Sequence, residues 1–201
     1  MDNTFSNSSS LGSSPLPNNG FSLIELMVAI AVVSILSAIA LPSMNDLLVK
    51  MRVDNEISEM QRLLLTARNT AINTGKFTTV CPLVGGVCKK KWHRKISVFT
   101  NDANTVANGK SFTGADELVK IKEKIETGDK LEFADTSVIF SPSGRMVSPN
   151  LNRTFKYCPK GQPNSSRGID LSVSGRSYAT SDTDNDNKDE DRSGSEITCS
   201  T

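Results

Sequence analysis

GFSLIELMVAIAVVSILSAIALP, from Gly20 to Pro42, is the most apolar stretch of the chain. From Phe21 to Leu41 only Ser22, Glu25, Ser34 and Ser37 are polar. At 1.5 Å per residue a helix over this run is about 30 Å long, enough to cross the hydrocarbon core of a bilayer. No other stretch comes close, so the sequence reads as a single-pass protein. A secretory signal peptide fits poorly. Its apolar region runs about 7–15 residues behind a basic start, whereas this run is longer and residues 1–20 contain no Lys or Arg. A buried globular helix is the other alternative, and the length argues against it. Glu25 needs a reason of its own, because a lone carboxylate in a span costs about 2.5–3.5 kcal/mol on insertion scales.

On the N-terminal side, MDNTFSNSSSLGSSPLPNNG (1–20) is rich in Ser and Asn and too polar to bury a core, so it is expected to be disordered. On the C-terminal side, Pro42 is expected to kink the helix rather than end it. Val53, Ile57, Met60, Leu64, Ala67 and Ala71 then step by three and four into one apolar stripe, with Glu56, Glu59, Arg62 and Asn69 off it. Asn73-Thr74-Gly75 is a stop signal. The spacing therefore predicts one helix from about Phe21 to Asn73, apolar all round over 21–41 and amphipathic over 42–74.

The amphipathic half needs a partner, and the rest of the chain offers a sheet. FTTVC (77–81), KISVFT (95–100), SVIFS (137–141), RTFKYC (153–158) and IDLSVS (169–174) are short, β-branched or aromatic, and bounded by turn residues. Loops are expected over 101–117 and 159–168. ELVKIKEKIETGDKLEF (117–133) fits neither period and is left unassigned, and no internal repeat stands out. The fold class is α+β: a long N-terminal helix packed on an antiparallel β-sheet head over 75–201, with an acidic loop at 181–192.

The four cysteines, Cys81, Cys88, Cys158 and Cys199, all lie beyond the apolar run. An even count in a translocated segment points to two disulfides, for which three pairings are open. If Cys81 and Cys88 close the loop CPLVGGVC, Cys158–Cys199 remains to tie down the tail. Zinc is the rival, disfavoured because no C-x2-C spacing occurs and His93 is the single histidine. The formal charge of +1 hides two opposed runs: CKKKWHRK (88–95), with five bases, and SDTDNDNKDED (181–191), with six acids. An enzyme is not indicated: there is no G-x-S-x-G, phosphate-cradling glycine loop or H-E-x-x-H.

GFSLIEL with an unbroken apolar run behind it resembles the type IV prepilin signature: Gly20, an apolar Phe21, and Glu25 four residues on. LLLTARNTAINTGKFTTVC, FSPSGR (140–145), TFKYC (154–158) and LSVSGR (171–176) resemble the FimT/GspH-like branch of minor pilins and pseudopilins. The resemblance implies a lollipop-shaped pilin. It implies cleavage between Gly20 and Phe21 by a prepilin peptidase, N-methylation of Phe21, and residence in the bacterial inner membrane with the head in the periplasm. It also implies assembly with major and minor pilins by inner-membrane machinery, with Glu25 paired to a neighbour's N-terminal amine. The function implied is a minor pilin that initiates or caps a type IV pilus; the alternative is an H-type pseudopilin of type II secretion. The leader carries Asp2 and no base, so orientation rests on this motif rather than on flanking charge.

Some members of that branch are linked to double-stranded DNA through a GRxR motif. The matching positions are Gly175, Arg176, Ser177 and Tyr178, with Tyr in place of the second Arg. Arg176 and Tyr178, with Arg167 nearby, are thus one candidate DNA-binding set. Lys89, Lys90, Lys91, Arg94 and Lys95 are another, since bases around an aromatic suit phosphate contact and stacking; Trp92 itself is read as a core anchor. Asp182, Asp184, Asp186, Asp189 and Asp191 resemble a calcium loop of closely spaced carboxylates. Asn187 stands at the sixth position where Gly is usual, and Ser193 at the twelfth.

Overall fold

The computed structural model describes residues 20–101, 110–147 and 153–200. The expectations for the leader, apart from Gly20, and for residues 102–109 of the 101–117 loop lie outside them. The chain divides into two compact units, Met1–Ser43 and Met44–Thr201, with the boundary falling inside helix α1, Leu23–Thr74.

In the first unit, Ser22 starts the helix: its hydroxyl accepts the backbone N–H of Glu25 and its carbonyl that of Leu26. This is the N-cap half of an S-x-x-E capping box, and it places the Glu25 carboxylate in the first turn, where the helix dipole favours negative charge. Every described side chain from Phe21 to Ala38 is exposed, Leu23, Ile24, Val28, Val33 and Leu36 among them. No helix among the described residues is long and apolar enough to cross a membrane. The described side chains of the apolar run stop at Ala38, short of the ~20 residues that a span requires.

In the second unit, Val49, Val53, Ile57, Met60, Leu63, Leu64, Ala67 and Ala71 form a buried stripe on α1. Among the described residues the strands beneath it form the expected antiparallel head, as two four-stranded sheets and a small ribbon. β1 (Thr78–Cys81), β4 (Ile96–Thr100), β5 (Glu117–Lys122) and β7 (Val138–Phe140) order as β5-β4-β1-β7. β6 (Lys130–Glu132), β8 (Arg153–Cys158), β9 (Arg167–Leu171) and β10 (Ser177–Ala179) order as β10-β9-β8-β6. β2 (Leu83–Val84) and β3 (Val87–Cys88) form the ribbon, and every strand pair is antiparallel. The core holds Val80, Ile96, Val98, Val138 and Phe140 from the first sheet and Leu131, Phe155, Tyr157, Ile169 and Leu171 from the second. Trp92 is buried among them, edge-on to Phe133 and Phe155, and its indole N–H donates to the Asp135 carbonyl.

Four of the expected strands agree with the observed ones to within a residue at each end. The fifth, expected at 169–174, is β9 at Arg167–Leu171, because Ser172–Arg176 forms a turn. The unassigned 117–133 segment contains β5 and β6. β5 reads poorly because it is a sheet edge: Leu118 and Ile121 are both 46% exposed, and its pairing with β4 slips at Val98/Phe99. Its last residue, Lys122, is 2% exposed and pins the edge to α1 through Glu56 (2.6 Å) and Glu59 (3.1 Å). The disulfides are Cys81–Cys88 and Cys158–Cys199.

Candidate functional site

Two hairpin turns built alike meet on the face of α1. SPSGR (141–145) and SVSGR (172–176) make the same bonds. Ser141 N–H donates to the Arg145 carbonyl (2.9 Å) and Gly144 N–H to the Ser141 carbonyl (2.8 Å). In the second turn Ser172 N–H donates to the Arg176 carbonyl (3.0 Å) and Gly175 N–H to the Ser172 carbonyl (2.9 Å). In each, the first Ser hydroxyl bonds the next one, Ser141 to Ser143 and Ser172 to Ser174. These are three-residue loops closing on a left-handed glycine, Gly144 at φ 73° and Gly175 at φ 78°. This is an internal repeat, where the sequence was expected to have none.

The turns touch. Met146 N–H donates to the Val173 carbonyl (3.0 Å), linking the two sheets, and Arg68 Nε on α1 donates to the Gly144 carbonyl (2.9 Å). A Cβ on Gly175 would fall 2.0 Å from that same carbonyl oxygen. Gly175 therefore does more than permit a turn: only its missing side chain lets the second turn close over the first.

The residues from Gly175 to Tyr178 form one wall of an open groove of about 580 Å³. Ser58, Gln61, Arg62, Leu65 and Arg68 line the other wall from α1. Three arginines and no carboxylate line the groove, so it suits an anion. Arg176 is exposed, and Tyr178 is half-buried on β10. The Arg192 guanidinium stacks 3.6 Å from the Tyr178 ring centroid, covering one ring face. The hydrogen bond from Arg176, seconded by Arg192, holds the Tyr178 hydroxyl below the usual tyrosine range. Arg62, Arg68 and Arg192 were not among the sequence candidates. No spacing rule finds them, since each meets the motif through a long-range contact.

Arg167 is a correction. Its guanidinium pairs with Asp54 on α1 and with Asp189 (2.9 Å), and donates to the Thr180 carbonyl (3.1 Å). It joins helix, sheet and tail, and it does not line the groove that holds Arg176 and Tyr178. Ion pairing holds its pKa above the usual value against the opposing effect of burial. Lys89, Lys90, Lys91 and Arg94 are solvent-exposed, and Lys95 pairs with Glu123 (3.0 Å). The structure thus does not gather this run around Trp92, which is committed to the core.

The acidic loop is a second correction. Asp182, Asp184 and Asp186 come together, but Asp189 and Asp191 do not join them. Asp189 faces Arg167 and the Thr180 hydroxyl. Asp191 accepts the Ser193 and Ser195 backbone N–H groups within its own turn. The fourth carboxylate in the cluster is Glu190, which continues the alternation of Asp182, Asp184 and Asp186 past Lys188 and was not among the sequence candidates.

Comparison with known proteins fits this anatomy. Residues 56–175 match the family model described as type II transport protein GspH, and residues 17–41 match the prokaryotic N-terminal methylation motif. A fimbrial protein of Pseudomonas aeruginosa is 44% identical over 57 residues, 28% of this chain and 36% of that protein. Fimbrial protein Q of Moraxella bovis is 39% identical over 66 residues, 33% of this chain and 39% of that protein. The match thus spans well under half the length of either relative. Among solved structures, the type IV minor pilin FimU of Pseudomonas aeruginosa gives a TM-score of 0.49 at 19% identity, over 63% of this chain and 86% of that one. The minor pseudopilin EpsH of the Vibrio cholerae type II secretion system gives 0.46 at 17% identity, over 69% and 99%. The GspH model covers more than half of the sequence, and the chain belongs to that family of pilin-like transport proteins, with the N-terminal methylation motif at residues 17–41.

Proposed function

We propose that the chain is a minor pilin of a type IV pilus, a structural subunit rather than an enzyme, held in the inner membrane by Phe21–Leu41 until it enters a fibre. The observation that carries this is the methylation motif opening a helix whose apolar side chains are exposed on every side. Such a surface is stable only in lipid or among like helices. A cut between Gly20 and Phe21 creates an amine, and Glu25 lies four residues from it. In a fibre core a carboxylate is tolerated when paired, and the N-terminal amine of a neighbour supplies the pair. Co-expression with a prepilin peptidase tests this. The mature chain begins at N-methylated Phe21 by N-terminal sequencing and intact mass, and Glu25→Ala is still cut but enters fibres poorly. An uncut chain, or normal incorporation of Glu25→Ala, refutes it.

The second reading is an H-type pseudopilin of type II secretion, favoured by the description of the matching family model. Loss of the gene separates the two: absent or altered pili support the first reading, and retained pili with failed export of folded proteins the second.

The arginine groove refines the pilus reading toward DNA. Arg62, Arg68 and Arg176 offer donors to phosphates with no carboxylate in the groove lining, and Tyr178, which lines the same groove, is of a type that stacks on bases. Full-length protein in non-ionic detergent is expected to bind double-stranded DNA with strong salt dependence. Arg176→Ala and Arg62→Ala each weaken binding and reduce the salt slope by about one, while Lys89/Lys90/Lys91→Ala leaves it near wild type. No binding at low salt refutes the DNA reading and leaves the fibre role standing.

A further inference from the structure

We propose that the Asp182–Glu190 loop is a calcium site that braces the C-terminal tail. Asp182, Asp184, Asp186 and Glu190 each bring a carboxylate oxygen within 4.8 Å of the others. A Ca²⁺ ion with bonds of about 2.3–2.6 Å sets opposite ligands about 4.6–5.2 Å apart, so the gathering already has the size of its coordination sphere.

Acidic clusters often stay solvated, and the independent observation here is Glu190. It is 6% exposed. Its Oε2 accepts the Thr183 N–H and hydroxyl, both at 2.7 Å. Its Oε1 is buried with no hydrogen-bond partner among the described residues. An ionised carboxylate can only accept, and a buried acceptor left unmatched is costly. The cation within the loop, Lys188, pairs with Glu196 at 2.9 Å and touches the cluster at Asp186, at 3.4 Å. A cation shared with the three aspartates satisfies Oε1 and relieves their mutual repulsion together.

The loop order fits as well. Counting from Asp182, Asp184 and Asp186 are third and fifth, Glu190 is ninth, and Asn187 takes the sixth position at φ 68°, the left-handed turn usually given to glycine. The seventh residue, Lys188, would offer its carbonyl. Glu190 also bridges Ser181 and Glu196 through its backbone, so an ion here fastens the tail between β10 and Cys199. The two disulfides fit an oxidising compartment, the setting of extracellular modules with calcium sites of modest affinity.

The test is calorimetric titration of chelator-treated, full-length protein in non-ionic detergent with CaCl2, and separately with MgCl2. One site is expected, with Kd of about 10⁻⁴–10⁻³ M as in extracellular modules and a calcium-dependent rise in Tm. Asp184→Asn, an exposed position that leaves the core untouched, and Glu190→Gln each weaken Ca²⁺ at least tenfold, while Asp191→Asn does not. No heat at millimolar Ca²⁺, undiminished binding in Asp184→Asn, or Mg²⁺ bound as tightly as Ca²⁺ overturns the assignment.

Discussion

Gly175→Ala measures the twin-turn junction directly. The new methyl costs about 1–2 kcal/mol for holding an L-residue in the left-handed region. It also lands 2.0 Å from the Gly144 carbonyl oxygen, against 3.4–4 Å for ordinary contact, and the obstacle is backbone fixed by the first turn and Arg68. Overpacking of this kind adds about 1–3 kcal/mol, for a total near 4 kcal/mol. Two other glycines calibrate the terms. Gly161 has φ 77° with nothing within 4 Å of its Cβ position, so Gly161→Ala carries the backbone cost alone. Gly144→Ala meets the Ile72 Cδ1 at 2.7 Å, the end of a side chain that can rotate away, and falls between. At about 2–4 °C per kcal/mol for a chain of this length, Gly175→Ala lowers Tm by roughly 10 °C, and Gly161→Ala by roughly 5 °C. The assay is thermal unfolding with disulfides intact. Equal losses at Gly175 and Gly161 refute the reasoning, because the close approach of the two turns would then carry no energy.

Three further outcomes rest on named contacts. Opening Cys158–Cys199, which closes a loop with a sequence separation of 41, costs about 4 kcal/mol by loop entropy, against about 2.5 for Cys81–Cys88 with a separation of 7, read by denaturant unfolding of the paired Cys→Ser variants. Lys122→Met strands Glu56 and Glu59 at the edge of β5 and costs about 3 kcal/mol, with Glu56→Gln recovering part of it; equal losses in single and double variants would show the ion pair to be idle. The two tyrosines separate in an absorbance titration, Tyr178 ionising below the usual range and Tyr157 well above it, where burial and then the hydrogen bond to Asp129 favour the neutral phenol. Because Tyr157 is raised in the fold, the unfolded state loses its proton first, so stability holds below about pH 10 and falls above it, by up to about 1.4 kcal/mol per pH unit, a limb that Tyr157→Phe removes.

The helix was legible because its signal is local: residues three and four apart on one stripe declare the buried face without reference to anything else. Strands rich in buried residues were legible for a similar reason, β7 included, whose Val138, Ile139 and Phe140 are all buried although it too is a sheet edge. β5 was not, because an edge strand with Leu118 and Ile121 half in water has no face to alternate, and the residue that fastens it, Lys122, looks in sequence like any surface lysine. The repeated S-x-S-G-R turns were in plain view. Their likeness carries meaning only once Gly175 is seen against Gly144, a contact between turns 31 residues apart.

The charged candidates obey the same logic with a sharper edge. Spacing says which side chains can share a ligand; competition decides which do. Asp182, Asp184 and Asp186 alternate along one loop, and the salt bridge among them in the described residues is the local one from Lys188 to Asp186. Asp189 has the same chemistry and nearly the same spacing, but Arg167 reaches it from β9, and the same bond engages Arg167 within the fold. Asp191 is spent on its own turn. Glu190, set between two aspartates that turn away, is the one drawn inward, because its backbone bridges Ser181 and Glu196 and carries the side chain under the loop. One pairing, Arg167 with Asp189, therefore takes a member from two of the three sets that the sequence suggested and leaves a groove of three arginines between α1 and residues 175–178, and a loop of four carboxylates.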